Sequence, residues 1–238
     1  DFTLTTSGSG CQQASISGTI TTTPTPRVVP SASSVGAISQ VVCEGTTIDP
    51  ITYDLLDIES APLINTINLP PGVNYSISSN TIQISGTPLN VSTFTSFNFT
   101  IEAETTNGCV GLGSGSIQVY PQDEFVLTTP GADFNTYCVD DTIAPITYQF
   151  AGGTTGASIE WKEDGNLITG NPQGISVSVN ANDITISGTF NGNISTAKAF
   201  SYIITSSNAG SCATSSISGS LTFEEKPDLI IHSSSNQL

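Results

Sequence analysis

Cys43-Glu44-Gly45-Thr46-Thr47-Ile48-Asp49-Pro50-Ile51-Thr52-Tyr53 returns as Cys138-Val139-Asp140-Asp141-Thr142-Ile143-Ala144-Pro145-Ile146-Thr147-Tyr148. Cys, the Thr four residues on, Ile, Pro, Ile, Thr and Tyr all keep one register at an offset of 95 residues. An active site is not built twice in this manner. A cysteine followed seven residues later by Pro-Ile-Thr-Tyr marks the start of a repeated domain.

The ends of the repeats agree as well. Phe99-Thr100-Ile101-Glu102-Ala103, a turn at Asn107-Gly108, Cys109 and then Gly115–Val119 form a strand–turn–strand pattern. Tyr202–Thr205, Asn208-Ala209-Gly210, Cys212 and Ile217–Leu221 repeat it, and Phe2–Thr6, Cys11 and Ile16–Ile20 give a third copy. Pro24-Thr25-Pro26, Pro121 and Pro227 stand at the junctions, where proline stiffens the link and blocks continued strand pairing. An apolar first strand follows each: Arg27-Val28-Val29, Phe125-Val126-Leu127 and Leu229-Ile230-Ile231. The organisation read from this is 1–25, the C-terminal part of a repeat; 26–121 and 122–226, two whole repeats; and 227–238, the first strand of another. Asp1 then falls inside a repeat, which predicts a longer parent chain.

Within each whole repeat the apolar residues alternate. Ile82 and Ile84 match Ile184 and Ile186, and Phe97, Phe99 and Ile101 match Phe200, Tyr202 and Ile204. Period two is that of a strand with one buried face. Leu69-Pro70-Pro71-Gly72-Val73 is a turn, with Pro fixing φ and Gly allowing positive φ. No segment has a helical period. About seven short strands per hundred residues predict an all-β chain of tandem immunoglobulin-like sandwiches arranged end to end. The second whole repeat departs at Asn171-Pro172-Gln173-Gly174-Ile175 and at Phe190, which replaces Pro88, so its middle strands are expected to differ. It also carries the sole tryptophan, Trp161, expected in the core.

Composition narrows the function. Among 238 residues only four are Lys or Arg against twenty Asp or Glu, a net charge of −16. Such a chain repels phosphate backbones and anionic lipid, which argues against nucleic-acid binding. No apolar run approaches the length of a membrane-spanning helix. The five cysteines follow the repeat: Cys43 and Cys138 open, Cys11, Cys109 and Cys212 close. This register predicts disulfides Cys43–Cys109 and Cys138–Cys212, with Cys11 unpaired by truncation. Each bridge would close a loop of about seventy residues and stabilise by roughly 4 kcal/mol in the chain-entropy model. Disulfides imply an oxidising compartment. A cysteine metal site is the weaker reading, because no C-x-x-C spacing occurs and the single histidine, His232, lies in the tail.

The Cys-x6-Pro-Ile-Thr-Tyr opening, the Leu-Pro-Pro-Gly-Val turn, the Ile-Ser-Gly-Thr strand and the Asn-Gly-Cys hairpin resemble tandem PKD-like or immunoglobulin-like repeats of very large Bacteroidetes cell-surface proteins. They look most like the repeats of giant flavobacterial gliding-motility adhesins of the SprB type. The resemblance covers essentially the whole chain. It implies an adhesin exported by type IX secretion and attached at the outer membrane, partnered by neighbouring repeats and, through other regions, by the gliding machinery. The adhesion target is not implied.

Chemistry is sparse. Asp140-Asp141 and Glu224-Glu225 are adjacent carboxylates, but neighbours on a strand face opposite ways. No catalytic constellation is expected, and no cofactor. Calcium is the alternative reading of the junction carboxylates Asp123, Glu124, Glu224, Glu225 and Asp228, although the D-x-[DN]-x-[DN]-G loop is missing. Asp141-Thr142-Ile143 resembles a short Bacteroidetes O-glycosylation motif, with Thr142 as acceptor. Four N-x-[ST] triplets, at Asn74, Asn90, Asn98 and Asn193, are largely a product of composition. Lys198, before Phe200, reads as a strand-edge charge. The principal expectation is therefore a non-enzymatic stalk segment of a secreted adhesin. The other classes are a glycan- or ligand-binding module and an ancillary domain of a secreted hydrolase.

Overall fold

A computed structural model describes residues 1–22, 24–34, 37–58, 63–210 and 212–227. The described chain is all-β, with no helix among these residues. Strands β1 (Phe2–Thr5) and β2 (Ser15–Gly18) pair as an antiparallel hairpin. The expected first strand at Leu229–Ile231 lies outside the described residues, as do Asp228 and His232.

The first sandwich is built from β3 (Arg27–Pro30), β4 (Ser39–Cys43), β5 (Ile51–Leu56), β6 (Leu63–Ile67), β7 (Val73–Ser78), β8 (Thr81–Gly86), β9 (Thr95–Glu104) and β10 (Val110–Tyr120). One sheet has the order β3-β5-β8-β7 and the other β4-β10-β9-β6. All pairs are antiparallel except β4 with β10.

The second sandwich repeats the plan with β11 (Asp123–Leu127), β12 (Phe134–Cys138), β13 (Thr142–Gly152), β14 (Thr154–Glu163), β15 (Asn166–Ile168), β16 (Ile175–Val179), β17 (Asp183–Thr189), β18 (Lys198–Asn208) and β19 (Ser216–Glu224). Its sheets are β11-β13-β17-β16 and β12-β19-β18-β14-β15, and β12 runs parallel to β19. This order is immunoglobulin-like: two facing sheets, with the opening segment split between them. The chain is a tandem pair of such sandwiches.

The repeated motif that opens the sequence is core strand. Ile51 and Tyr53 on β5 are fully buried, as are Ile146 and Tyr148 on β13, while Thr52 and Thr147 between them stay half-exposed. Ile82 and Ile84 meet them from β8, and Ile184 and Ile186 do so from β17. Burying each such side chain contributes about 1.5–3 kcal/mol, so alternation alone fixes which way each strand faces. Phe99, Ile101 and Ala103 cover one core from the opposite sheet; Phe200, Tyr202 and Ile204 cover the other.

The middle strands of the second sandwich differ less than the sequence suggests. Despite its altered residues, the 171–175 turn closes as the earlier one does. Ile175 N donates to Pro172 O at 3.0 Å, as Val73 N does to Pro70 O, and Gly174 and Gly72 both take positive φ. The real difference lies in the opposite sheet, where β14 is longer than β6 and turns back into the extra strand β15. Trp161, on β14, is buried as expected and packs edge-on against Tyr202.

Two strands had no clear sequence signal: β4 and β12, which end at Cys43 and Cys138. Their placement overturns the expected disulfides. Since β4 is parallel to β10, Cys43 lies opposite Tyr120, at the C-terminal end of β10. Cys109 immediately precedes β10. Eleven strand residues rising about 3.3 Å each separate the two by roughly 35 Å, whereas a disulfide needs Cα atoms within about 7 Å. Cys138, opposite Glu224, and Cys212, ahead of β19, are parted in the same way. The bridge that forms is Cys43–Cys212, with Cα atoms 5.7 Å apart, and it joins one sandwich to the other. Among the described residues Cys11, Cys109 and Cys138 are free.

Candidate functional site at the inter-unit junction

Two poles meet at the junction. The first sandwich contributes the end of β10 at Tyr120 and the Cys43 turn. The second contributes the start of β11 at Asp123 and the hairpin between β18 and β19, which carries Cys212.

The Cys43 turn is held by backbone hydrogen bonds. Glu44 N donates to Tyr120 O at 2.8 Å, Gly45 N to Pro88 O at 2.9 Å and Thr46 N to Cys43 O at 3.0 Å. Gly45 has φ of 77°, a conformation glycine adopts without penalty. The Glu44 carboxylate accepts from Val91 N at 3.2 Å. From the linker, Gln122 Nε2 donates to Glu44 O at 3.1 Å. Pro121, between the two sandwiches, is buried. The Tyr120 ring packs on Phe94 with centroids 4.6 Å apart, and any side chain at Gly210 would overlap that ring. Tyr120 thus seats the hairpin of the next sandwich.

Asp123 fixes that hairpin from below. It is buried, and its Oδ2 accepts from Ser206 Oγ and, at 2.9 Å, from Asn208 Nδ2. Asn208 Oδ1 accepts from Cys212 N at 3.1 Å, while its Nδ2 also reaches Cys212 O at 3.1 Å. Ser206 Oγ accepts from Ser215 N at 2.8 Å. A continuous polar path therefore runs from the linker carboxylate to the backbone of the bridging cysteine. The two bonds that end on the carboxylate itself are charge-assisted, the stronger sort.

Among the described residues the carboxylates named for calcium, at one junction or the next, form no cluster of three. Asp123 turns into the hairpin, and Glu124 is exposed, with its backbone N donating to Thr154 Oγ1 at 3.1 Å and its backbone O accepting from the same hydroxyl at 3.3 Å. Glu224 and Glu225 are exposed at the far end of the second sandwich, and Asp228 lies outside the described residues. No three His, Cys, Asp or Glu side chains among the described residues converge to hold a metal ion. An open groove of about 770 Å³ does run along the junction, lined by Glu44, Val91, Gln122, Asp123 and Ala151 among others.

The remaining expected residues are dispersed. Thr142 is exposed and its hydroxyl pairs with that of Thr189 at 2.9 Å, so an O-glycan there would displace this bond. Asp141 pairs with Lys226 at 3.1 Å in an exposed ion pair. Lys198, the first residue of β18, pairs with Glu163, the last of β14, both on interior strands of their sheet. Asn74, Asn90, Asn98 and Asn193 are all exposed. The sequence reading missed Asn208 and Tyr120, together with the structural role of Asp123. The available signal was the Asn four residues before a closing cysteine, since Thr105 holds the same place before Cys109.

No protein-family model matches the chain, and no curated protein matches it. Solved structures resembling it include a three-domain I-band fragment of titin, at 14% identity over 85% of this chain and 66% of that one, with a TM-score of 0.45. An E-to-A variant of the three-domain fragment gives 15% identity over 84% and 65%, with a TM-score of 0.44. A tandem pair of titin Ig domains gives 11% over 85% and 98%, with a TM-score of 0.33. The chain spans about two-thirds of the length of the three-domain fragments. The immunoglobulin-like assignment itself rests on the strand order and pairing given above.

Proposed function

We propose that the chain is a load-bearing spacer segment of a long extracellular repeat protein, and that this protein is a cell-surface adhesin used in attachment and gliding. The observation that carries the spacer reading is Cys43–Cys212. Pulling on a tandem array applies force from one pole of a sandwich to the other. Without the bridge, the covalent path from Arg27 to Lys226 is about 200 residues long, or about 700 Å when extended. With the bridge, the path runs from Arg27 to Cys43, crosses to Cys212 and ends at Lys226. That is about 30 residues, or about 100 Å. Residues 44–211, which supply most of both cores, leave the load path.

Such a bridge requires export to an oxidising space. The adhesin, gliding and type IX export roles rest on the resemblance of the repeats, and attachment to the outer membrane would fall to other regions of the parent protein. The covalent bridge and the polar joint at Asp123 support the spacer reading.

Single-molecule stretching from handles on Asp1 and Leu238 tests the spacer. Oxidised chain is expected to release little length at forces that unfold the sandwiches. Reduced chain, or Cys43→Ser, is expected to release roughly 600 Å more, since the bridge spans 169 residues. Equal extension of oxidised and reduced chain would overturn the reading.

A further inference from the structure

The two free, half-buried cysteines sit at the outward poles of the pair: Cys109 at the N-terminal pole of the first sandwich and Cys138 at the C-terminal pole of the second. We propose that each is half of a joint like Cys43–Cys212, so that the opening cysteine of every unit bonds the closing cysteine of the unit after it. Cys138 would take the closing cysteine of a following unit of this kind. Cys109 would take the opening cysteine of a preceding one. This inference rests on the spacer reading and extends it from one joint to an array.

Two independent matches carry it. The Cys138 turn reproduces the backbone bonds of the Cys43 turn. Val139 N donates to Glu224 O at 2.9 Å, Asp140 N to Phe190 O at 2.9 Å and Asp141 N to Cys138 O at 3.1 Å. Asp140, with φ of 66°, holds the position of Gly45. Thr142 pairs with Thr189 as Thr47 does with Thr87, at 2.9 and 3.0 Å. Lys226 reaches back to this turn as Gln122 reaches back to the other.

The closing hairpins match too. Cys109 N donates to Thr105 Oγ1 at 3.1 Å, in the place where Cys212 N donates to Asn208 Oδ1 at 3.1 Å. One opener and one closer of this geometry are already bonded to each other across a junction. The unbonded opener and closer present the same geometry at the remaining poles. Within a unit they cannot meet, because a full strand separates them.

Oxidation balances simply. Two thiols lose their protons, one Sγ–Sγ bond forms, and two electrons pass to a disulfide oxidant, which leaves as two thiols. In a long array every unit would then be crossed by a short covalent route. That route is either the last strand, already extended, or the stretch from the junction to the opening cysteine.

The test uses the whole chain with an internal duplication. Residues 26–226 are inserted again after Lys226, so that Lys226 is followed by Pro26 as it normally is by Pro227. The protein is oxidised with oxidised and reduced glutathione, its free thiols are alkylated, and it is digested with pepsin at low pH and mapped by mass spectrometry. The expected result is Cys43–Cys212 in both copies plus a bond from the first copy's Cys138 to the second copy's Cys109, lost in Cys138→Ser while Cys43–Cys212 persists. Alkylation of both the first Cys138 and the second Cys109, with Cys43–Cys212 formed, would overturn the array and leave the spacer standing. Absence of Cys43–Cys212, or bonds within units, would overturn both.

Discussion

In the first sandwich Tyr53 reaches through the core to the other sheet and donates to Ser114 O at 2.7 Å. In the second, the matching Tyr148 meets the hydroxyl of Tyr202 at 3.0 Å, and Trp161 packs on that same Tyr202 ring. Phe190, Phe200 and Phe223 form a further aromatic group where the first sandwich has Pro88 in place of Phe190. The cores are thus filled differently around one shared tyrosine. The poles are more alike: the two cysteine turns share their backbone bonds, and in each closing hairpin one side chain, Thr105 or Asn208, bonds both N and O of the cysteine. Cores of like volume tolerate varied side chains, whereas a disulfide tolerates only a narrow geometry. Uniform poles around differing centres are what a chain of joints needs.

The largest effect expected from breaking this contrast is at Trp161, which the first sandwich lacks. Trp161→Ala removes the biggest buried side chain of the second core and is expected to cost about 3–5 kcal/mol. Urea unfolding should then separate into two transitions, the second sandwich melting first. Trp161→Phe should cost far less than its size suggests, because the buried Nε1 has no hydrogen-bond partner among the described residues to lose. A single transition in Trp161→Ala would show that the bridge couples the two cores into one cooperative unit.

A middle-sized effect follows from the tyrosines. Burial pushes Tyr53 up to about 12 from its usual value of 10. Tyr148 and Tyr202 are raised as well, chiefly by burial, and their mutual hydrogen bond raises Tyr202 further while lowering Tyr148. The folded state keeps these protons where the unfolded state has lost them. Stability is therefore fully present below pH 10 and falls as pH rises from 10 toward 12. Each tyrosine costs about 1.4 kcal/mol for every pH step of one over which the folded state alone holds its proton. Urea midpoints measured across that range, together with tyrosinate absorbance, should show the loss. Tyr53→Phe should flatten it for the first sandwich alone.

The fold could be read from particular residues. Ile82/Ile84 and Ile184/Ile186 announce strands, Gly72 and Gly174 announce turns, and the 95-residue register sets the two units in line. The bridge could not be read that way. Cys43 and Cys109 look like an opening and closing pair because both are repeated, and sequence carries no sign of strand direction. Once β4 is known to run parallel to β10, the opening cysteine must travel to the far pole. Val41 is exposed and Val42 only half-buried, so this strand lacked the strong alternation that revealed the others. The junction network was hidden for a related reason. Asp123 and Asn208 are 85 residues apart, and an acidic residue after a proline reads as an ordinary surface charge until its burial is seen.

The smallest expected effect lies at Asp123, and it separates the two poles most finely. At the N-terminal pole of the first sandwich Pro26 holds the equivalent position, so a closing hairpin can form without a carboxylate beneath it. In that hairpin Thr105 holds Cys109, through Cys109 N and O. Asp123→Ala should therefore leave both sandwiches folded. Ser206 would keep its bond from Ser215 N, and Asn208 its two bonds to Cys212, so only part of the usual 1–3 kcal/mol for a removed partner should be lost, about 1 kcal/mol. That loss falls on the hairpin that presents Cys212, not on either core. Looser seating exposes the bridge to attack, and about 1.4 kcal/mol corresponds to a tenfold change in rate. Reduction of Cys43–Cys212 by dithiothreitol should accordingly quicken several-fold in Asp123→Ala, with the urea midpoint of the first sandwich unchanged. An unchanged reduction rate with a lowered midpoint for the second sandwich would instead assign Asp123 to the core's stability, and the likeness between the two hairpins would then extend to their strength as well as their shape.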